Sequence, residues 1–174
     1  MSDAREKVFL VIDPGLKHCG VGIVRKTPNL APDAPLTVEL LWSTVGDLSG
    51  RVNPDKEKAR DLAYTIHREA EARRVTDVLI EFQPPLRTCA NPALVRWNSW
   101  IEGFFVGYFT GEYPISYVHS CALKRKLKIT TMGAHHLNKQ MSLISARNYV
   151  STEIRTDHEA DCVLMAVYQL VTGR

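Results

Sequence analysis

Two short apolar runs that each end in a carboxylate constrain this chain more than any other feature. Lys7-Val8-Phe9-Leu10-Val11-Ile12-Asp13-Pro14-Gly15 delivers Asp13 at its C-terminal end, and Val78-Leu79-Ile80-Glu81 delivers Glu81 in the same way. Runs this apolar and rich in β-branched residues read as strands buried in a sheet. A lone carboxylate leaving such a strand is costly unless it meets a cation, a metal or solvent at the sheet's edge. Two acids brought together in this way point to a metal site. A third acidic element, Asp157-His158-Glu159-Ala160-Asp161, opens the apolar run from Cys162 to Tyr168. As a helix, it sets His158 and Asp161 on one face at i,i+3, and Asp157 and Asp161 at i,i+4.

The remaining pattern alternates strands and helices. Gly20 to Val24 and Thr37 to Thr44 read as strands that complete an antiparallel meander with the first. Asn53-Pro54 is a cap and first-turn pair for a helix reaching Arg73, with an apolar stripe of Ala59, Leu62, Ala63, Ile66 and Ala70. Val78 to Phe82 is the fourth strand, and its flanking helices imply a parallel crossover. Asn91-Pro92 opens a helix through Thr110 that carries Trp97, Trp100, Ile101, Phe104, Phe105, Tyr108 and Phe109 around much of its circumference. A helix this apolar is either central to the core or packed on a partner. Gly103 and Gly107 would permit close backbone approach there. Pro114 to Val118 is a fifth strand, Ser120 is a candidate cap for a short basic helix, and two more helices cover Ala134 to Tyr149 and His158 to Leu170. The expected fold is a five-stranded mixed α/β sheet with helices on both faces.

Composition bounds the function. At 174 residues, 45% apolar and 24% charged, the chain suits one domain over residues 1–174. The net charge of +3 is modest, but residues 121–128 read CALKRKLK, with four bases and no acid. Acids that hold cations beside bases that hold phosphates suit an enzyme acting on a polyanion. Cys19, Cys89, Cys121 and Cys162 form no CxxC pair, which argues against a disulfide framework or a zinc knuckle. With no secretory signal and no apolar stretch of membrane-spanning length, the expectation is a soluble intracellular protein without a membrane partner.

The order of these elements resembles the ribonuclease H-like fold, and within it the Holliday junction resolvases of the bacterial RuvC type with their poxviral and fungal mitochondrial relatives. The resemblance rests on Ile12-Asp13-Pro14-Gly15 with Gly20 downstream, Ile80-Glu81 followed by Gln83, and His158-Glu159-Ala160-Asp161 entering an apolar helix. It implies a structure-selective endodeoxyribonuclease that cuts four-way junctions in paired fashion as a homodimer, leaving 5′-phosphate and 3′-hydroxyl ends. It also implies two Mg²⁺ per site, with Mn²⁺ as a substitute, and catalysis by Asp13, Glu81, His158 and Asp161. The candidate metal ligands are Asp13, Glu81, Asp157, His158 and Asp161, with the choice between Asp157 and His158 open because Asp157 supplies an acid one residue earlier, much as an acidic pair does in the viral relatives; Asp157 is also a candidate helix cap.

Candidate DNA contacts are Gln83, Arg87, Lys124, Arg125, Lys126, Lys128, Lys139 and Arg147. The candidate dimer surface is Trp97, Trp100, Ile101, Phe104, Phe105 and Tyr108. Glu159 is expected to face solvent. Two other functions compete: a ribonuclease H-like nuclease acting on RNA or RNA-DNA hybrids, and an inactive junction-binding protein. An actin-like kinase shares the strand-acid-glycine theme but requires a second lobe that this length does not supply.

Overall fold

A computed structural model describes residues 6–15, 18–28, 34–50, 55–82, 92–129 and 134–173, without the side chains of 92–98, 101, 102 and 135. The chain runs β1 (Val8–Pro14), β2 (His18–Lys26), β3 (Val38–Asp47), α1 (Lys56–Ala72), β4 (Asp77–Glu81), α2 (Pro92–Phe109), β5 (Ile115–Val118), α3 (Ser120–Lys126), α4 (His135–Arg147) and α5 (Asp157–Thr172). The strands form one sheet in the order β3-β2-β1-β4-β5. β1, β2 and β3 pair antiparallel, while β4 joins β1 and β5 in parallel. The mixed sheet and its meander therefore match the sequence pattern.

Alternation along the strands divides the core into two layers. Val8, Leu10 and Ile12 of β1, Cys19, Val21 and Ile23 of β2, and Val78 and Ile80 of β4 pack with Ala59, Ala63, Ile66 and Ala70 of α1 and with Phe105 and Phe109 of α2. Phe9 and Val11 of β1, Val24 of β2, Leu79 of β4 and Val118 of β5 pack on the other side, against Ala160 and residues 162–167 of α5. The buried α1 residues recur at helical spacing, so one stripe of that helix faces the sheet.

Several ends differ from the sequence reading. Asp55 caps α1 through the amides of Glu57 and Lys58, because the helix starts beyond the Asn53-Pro54 pair, which lies outside the described residues. His119 occupies the cap position of α3 without a side-chain hydrogen bond, so Ser120 lies inside the helix. Thr156, not Asp157, caps α5, and Glu159 closes a capping box with it. Glu159 is consequently turned inward, accepting from the Ser43 hydroxyl at 2.8 Å and from the Arg155 amide at 2.7 Å. These bonds outweigh its burial and hold its pKa below the ordinary value.

The aromatic helix α2 serves the chain's own core first. Phe105 is fully buried there, which removes it from any face that a second copy can touch. Trp100, Phe104 and Tyr108 are partly buried, with Trp100 stacked on Phe104 at a ring separation of 5.6 Å. Among the described residues, a Cβ at Gly103 or Gly107 would meet nothing within 4 Å, so no close approach there explains them. The side chains of Trp97 and Ile101 lie outside the described residues.

Candidate active site

The sheet register brings the acids to one corner. β1 and β4 run parallel, with Ile12 beside Ile80, so Asp13 and Glu81 are the next residues on adjacent strands. Both share the strand parity of Val11 and Leu79 and face the α5 layer. Asp13 pairs across β2 with Gly20, and Glu81 pairs across β5 with Val118. α5 lies over this row at close range. A Cβ on Gly20 would sit 3.0 Å from His158 Nδ1, and one on Gly22 would sit 2.9 Å from the Cβ of Cys162. The two glycines thus clear a path for residues one turn apart on α5 and let His158 descend beside Asp13, with Nδ1 4.0 Å from Asp13 Oδ2. His158 Nδ1 is buried and has no hydrogen-bond partner.

The electrostatics are those of crowded buried acids. Burial, followed by the charge of Asp13 and a hydrogen bond to it, pushes Glu81 up to about 9, while a hydrogen bond from Ser120 and the charge of Asp161 act in opposite directions. Glu81 in its protonated form donates to Asp13. Burial also raises Asp161 to about 6, reinforced by Asp13 and Asp157 and opposed by Lys124 and His158. Asp157 behaves differently: burial would raise it, but the Lys139 ammonium bonded to it and the nearby His158 bring it below its ordinary value. Asp157 is therefore already neutralised by a lysine.

Asp13, Glu81, Asp161 and His158 share this corner without closing into a cage. Among the described residues, no three His, Cys, Asp or Glu side chains form a ready metal-holding group. Like charges repel in a low-dielectric setting, and here a shared proton and two lysines provide the compensation. The donor set nevertheless suits a hard divalent cation, since it offers carboxylate oxygens and one unpartnered imidazole nitrogen.

A cavity of about 120 Å³ adjoins the acids and is lined by Glu81, Val118, Ser120, Leu123, Lys124, Ser142, Asp161 and Met165. Ser120 and Ser142 were not signalled by the sequence, because neither lies in a local acidic motif. Of the bases, Lys124 borders the cavity, Lys139 holds Asp157, and Arg125, Lys126, Lys128 and Arg147 are exposed. Gln83 and Arg87 lie outside the described residues. Cys19, Cys121 and Cys162 are free thiols, and among the described residues no helix is long and apolar enough to cross a membrane.

No known family model matches this chain, and no curated protein matches it by sequence. Solved structures do match. Thermus thermophilus RuvC superposes with a TM-score of 0.68 at 20% identity, covering 95% of this chain and 96% of that one. T. thermophilus RuvC in complex with a Holliday junction substrate gives 0.70 at 20% identity over the same shares. The yeast mitochondrial Holliday junction resolvase Ydc2 gives 0.58 at 15% identity, covering 93% of this chain and 77% of that one. The fold is accordingly ribonuclease H-like. At this level of identity, the resemblance to the RuvC-type and Ydc2 resolvases is one of fold.

Proposed function

We propose that this chain is a structure-selective endodeoxyribonuclease that resolves four-way DNA junctions by Mg²⁺-dependent phosphodiester hydrolysis, leaving 5′-phosphate and 3′-hydroxyl ends. The observation that carries this reading is the convergence of Asp13, Glu81, Asp161 and His158 at one end of β1 and β4. The likeness in fold to a resolvase described with its junction substrate supports it.

In this reading Asp13, which lies between Glu81 and His158, would hold the metal together with Glu81 and Asp161. His158 completes the set in preference to Asp157, because Asp157 is engaged by Lys139 whereas His158 Nδ1 is unpartnered. Bound Mg²⁺, or Mn²⁺ in its place, supplies an activated water and stabilises charge on the leaving oxygen. The carboxylates position that chemistry, and Lys124, Arg125, Lys126 and Lys128 hold the backbone of the branched DNA. Lys139, Arg147, Gln83 and Arg87 extend this footprint. A near two-fold junction requires two opposed cuts, which suits a homodimer that uses Trp97, Trp100, Ile101, Phe104 and Tyr108 as its interface.

Incubation of the purified protein with a synthetic four-way junction, a linear duplex and an RNA-DNA hybrid, with and without Mg²⁺, tests the proposal. The expected result is paired, Mg²⁺-dependent cutting confined to the junction. Preferential cutting of the hybrid would assign a ribonuclease, and junction binding without cleavage would assign an inactive binding protein.

A further inference from the structure

We propose that Ser120 is a positioning residue of the carboxylate site, its hydroxyl holding Glu81 in the orientation that faces Asp13. This inference rests on the metal-dependent nuclease reading above. The geometry begins with β5, whose Val118 pairs with Glu81 across the sheet. Two residues later the chain turns into α3 and brings Ser120 alongside, where its hydroxyl donates to the Glu81 carboxylate. A serine at the start of a helix commonly spends its oxygen on capping. Here the cap position belongs to His119, whose side chain makes no capping bond, and the Ser120 hydroxyl is directed to the acid.

The surroundings are built around the same contact. Ser120 and Lys124, one helical turn apart, both line the cavity with Glu81 and Asp161. One short helix therefore addresses two acids from two different elements, a hydroxyl toward Glu81 and an ammonium toward Asp161. The difference in chemistry matters. A lysine beside Glu81 would neutralise it and compete with a cation for its oxygens. A hydroxyl fixes the plane of the carboxyl group without setting a positive charge beside it, so a cation that displaces the shared proton meets no competing ammonium there. Ser142 of α4, 4% exposed, adds a second neutral polar wall to the cavity. Val118, Leu123 and Met165 close it with apolar surface, so water competes less for the Ser120 bond than at an open surface.

Mn²⁺ binding to the DNA-free protein, measured by electron paramagnetic resonance, tests the role directly in wild type, Ser120→Ala and Ser120→Thr, with melting temperature recorded for each. Loss of a hydrogen bond to a charged group should raise the half-saturating Mn²⁺ concentration of Ser120→Ala by about tenfold, with Ser120→Thr restoring it because the hydroxyl is kept. The Mg²⁺ dependence of junction cutting should shift in parallel. Ser120→Ala with wild-type half-saturation and an unchanged melting temperature would overturn the positioning role while leaving the nuclease reading intact. Wild-type protein that binds no Mn²⁺ would overturn both.

Discussion

The two faces of the sheet draw on the same strands and both bury an apolar layer, yet the buried acids gather on the face toward α5. Toward α1 and α2, β1 and β2 offer Val8, Leu10, Ile12, Val21 and Ile23, a dry aliphatic surface sealed by Phe105 and Phe109. Toward α5, the same two strands offer Asp13, Gly20 and Gly22 at one end of an apolar row of Phe9, Val11 and Val24, and β4 adds Glu81 beyond Leu79. Large side chains keep a helix at its ordinary distance, whereas glycines let α5 approach until His158 stands beside Asp13. The contrast is graded, since Gly46 on the first face also makes room for Leu62 of α1, at the outer strand. Both sides bury apolar volume, but the crowded carboxylates lie on the α5 side, so substitutions at the acids and substitutions in the aliphatic layer should act on chemistry and stability respectively.

The sharpest test of that division is Asp13→Asn, which removes a carboxylate charge from the proposed metal site without changing core volume. Junction cleavage should fall by more than about a hundredfold, because metal-assisted chemistry supplies several kcal/mol, while junction binding and melting temperature stay near wild type. Appreciable Mg²⁺-dependent cleavage by this variant would break the comparison. Leu10→Ala on the opposite face should do the reverse, lowering unfolding free energy by about 2–5 kcal/mol in a denaturant titration, with cutting retained by the folded fraction.

A third test uses pH. Glu81 titrates near 9 in the folded chain against an ordinary 4.5, so between these values the folded state holds a proton that the unfolded state has lost. Stability of the metal-free protein in EDTA should therefore decline as pH rises through that window, Glu81 contributing a slope of at most about 1.4 kcal/mol per pH unit and Asp161 adding to it at the acidic end. Glu81→Gln should flatten the decline, and a profile identical to wild type would contradict it. Added Mg²⁺ should raise the melting temperature of wild type most at the alkaline end.

The smallest expected effects come from the two glycines, and they refine the comparison within one strand. Gly20→Ala presses most closely on Nδ1 of the His158 ring, so it should reduce cleavage by roughly tenfold through displacement of His158, with a smaller change in melting temperature than Gly22→Ala. Gly22→Ala presses on the Cβ of Cys162, close to the helix backbone, and should instead destabilise the fold by about 1–3 kcal/mol. If both variants lost only stability, the descent of His158 would have no bearing on the chemistry.

The strands, the order of the helices and the acids at the strand ends were legible because their signals are local. Alternation, apolar runs and strand-end carboxylates can be read within a few residues. Thr156-x-x-Glu159 also carried a readable capping-box pattern, which identifies Thr156 as the cap and turns Glu159 inward. Nothing local distinguished Ser120 from an ordinary helix cap, since its partner Glu81 lies on another strand. Likewise, a helix with aromatics around much of its circumference does not declare which of them it buries, and only packing in the layer shared with α1 assigns Phe105 to the core.

By itself the sequence determined an alternating pattern that can bury a mixed sheet and that releases acids at the ends of two strands and at the head of one helix. The tertiary structure alone decided that Asp13 and Glu81 become neighbours, that glycines admit His158 beside them, and that lysines claim Asp157 and attend Asp161. The physical reason is range. Backbone preference and hydrophobic period act over a turn or a strand, but the sharing of charge among buried groups depends on distances that exist only after strand register and helix approach have been set.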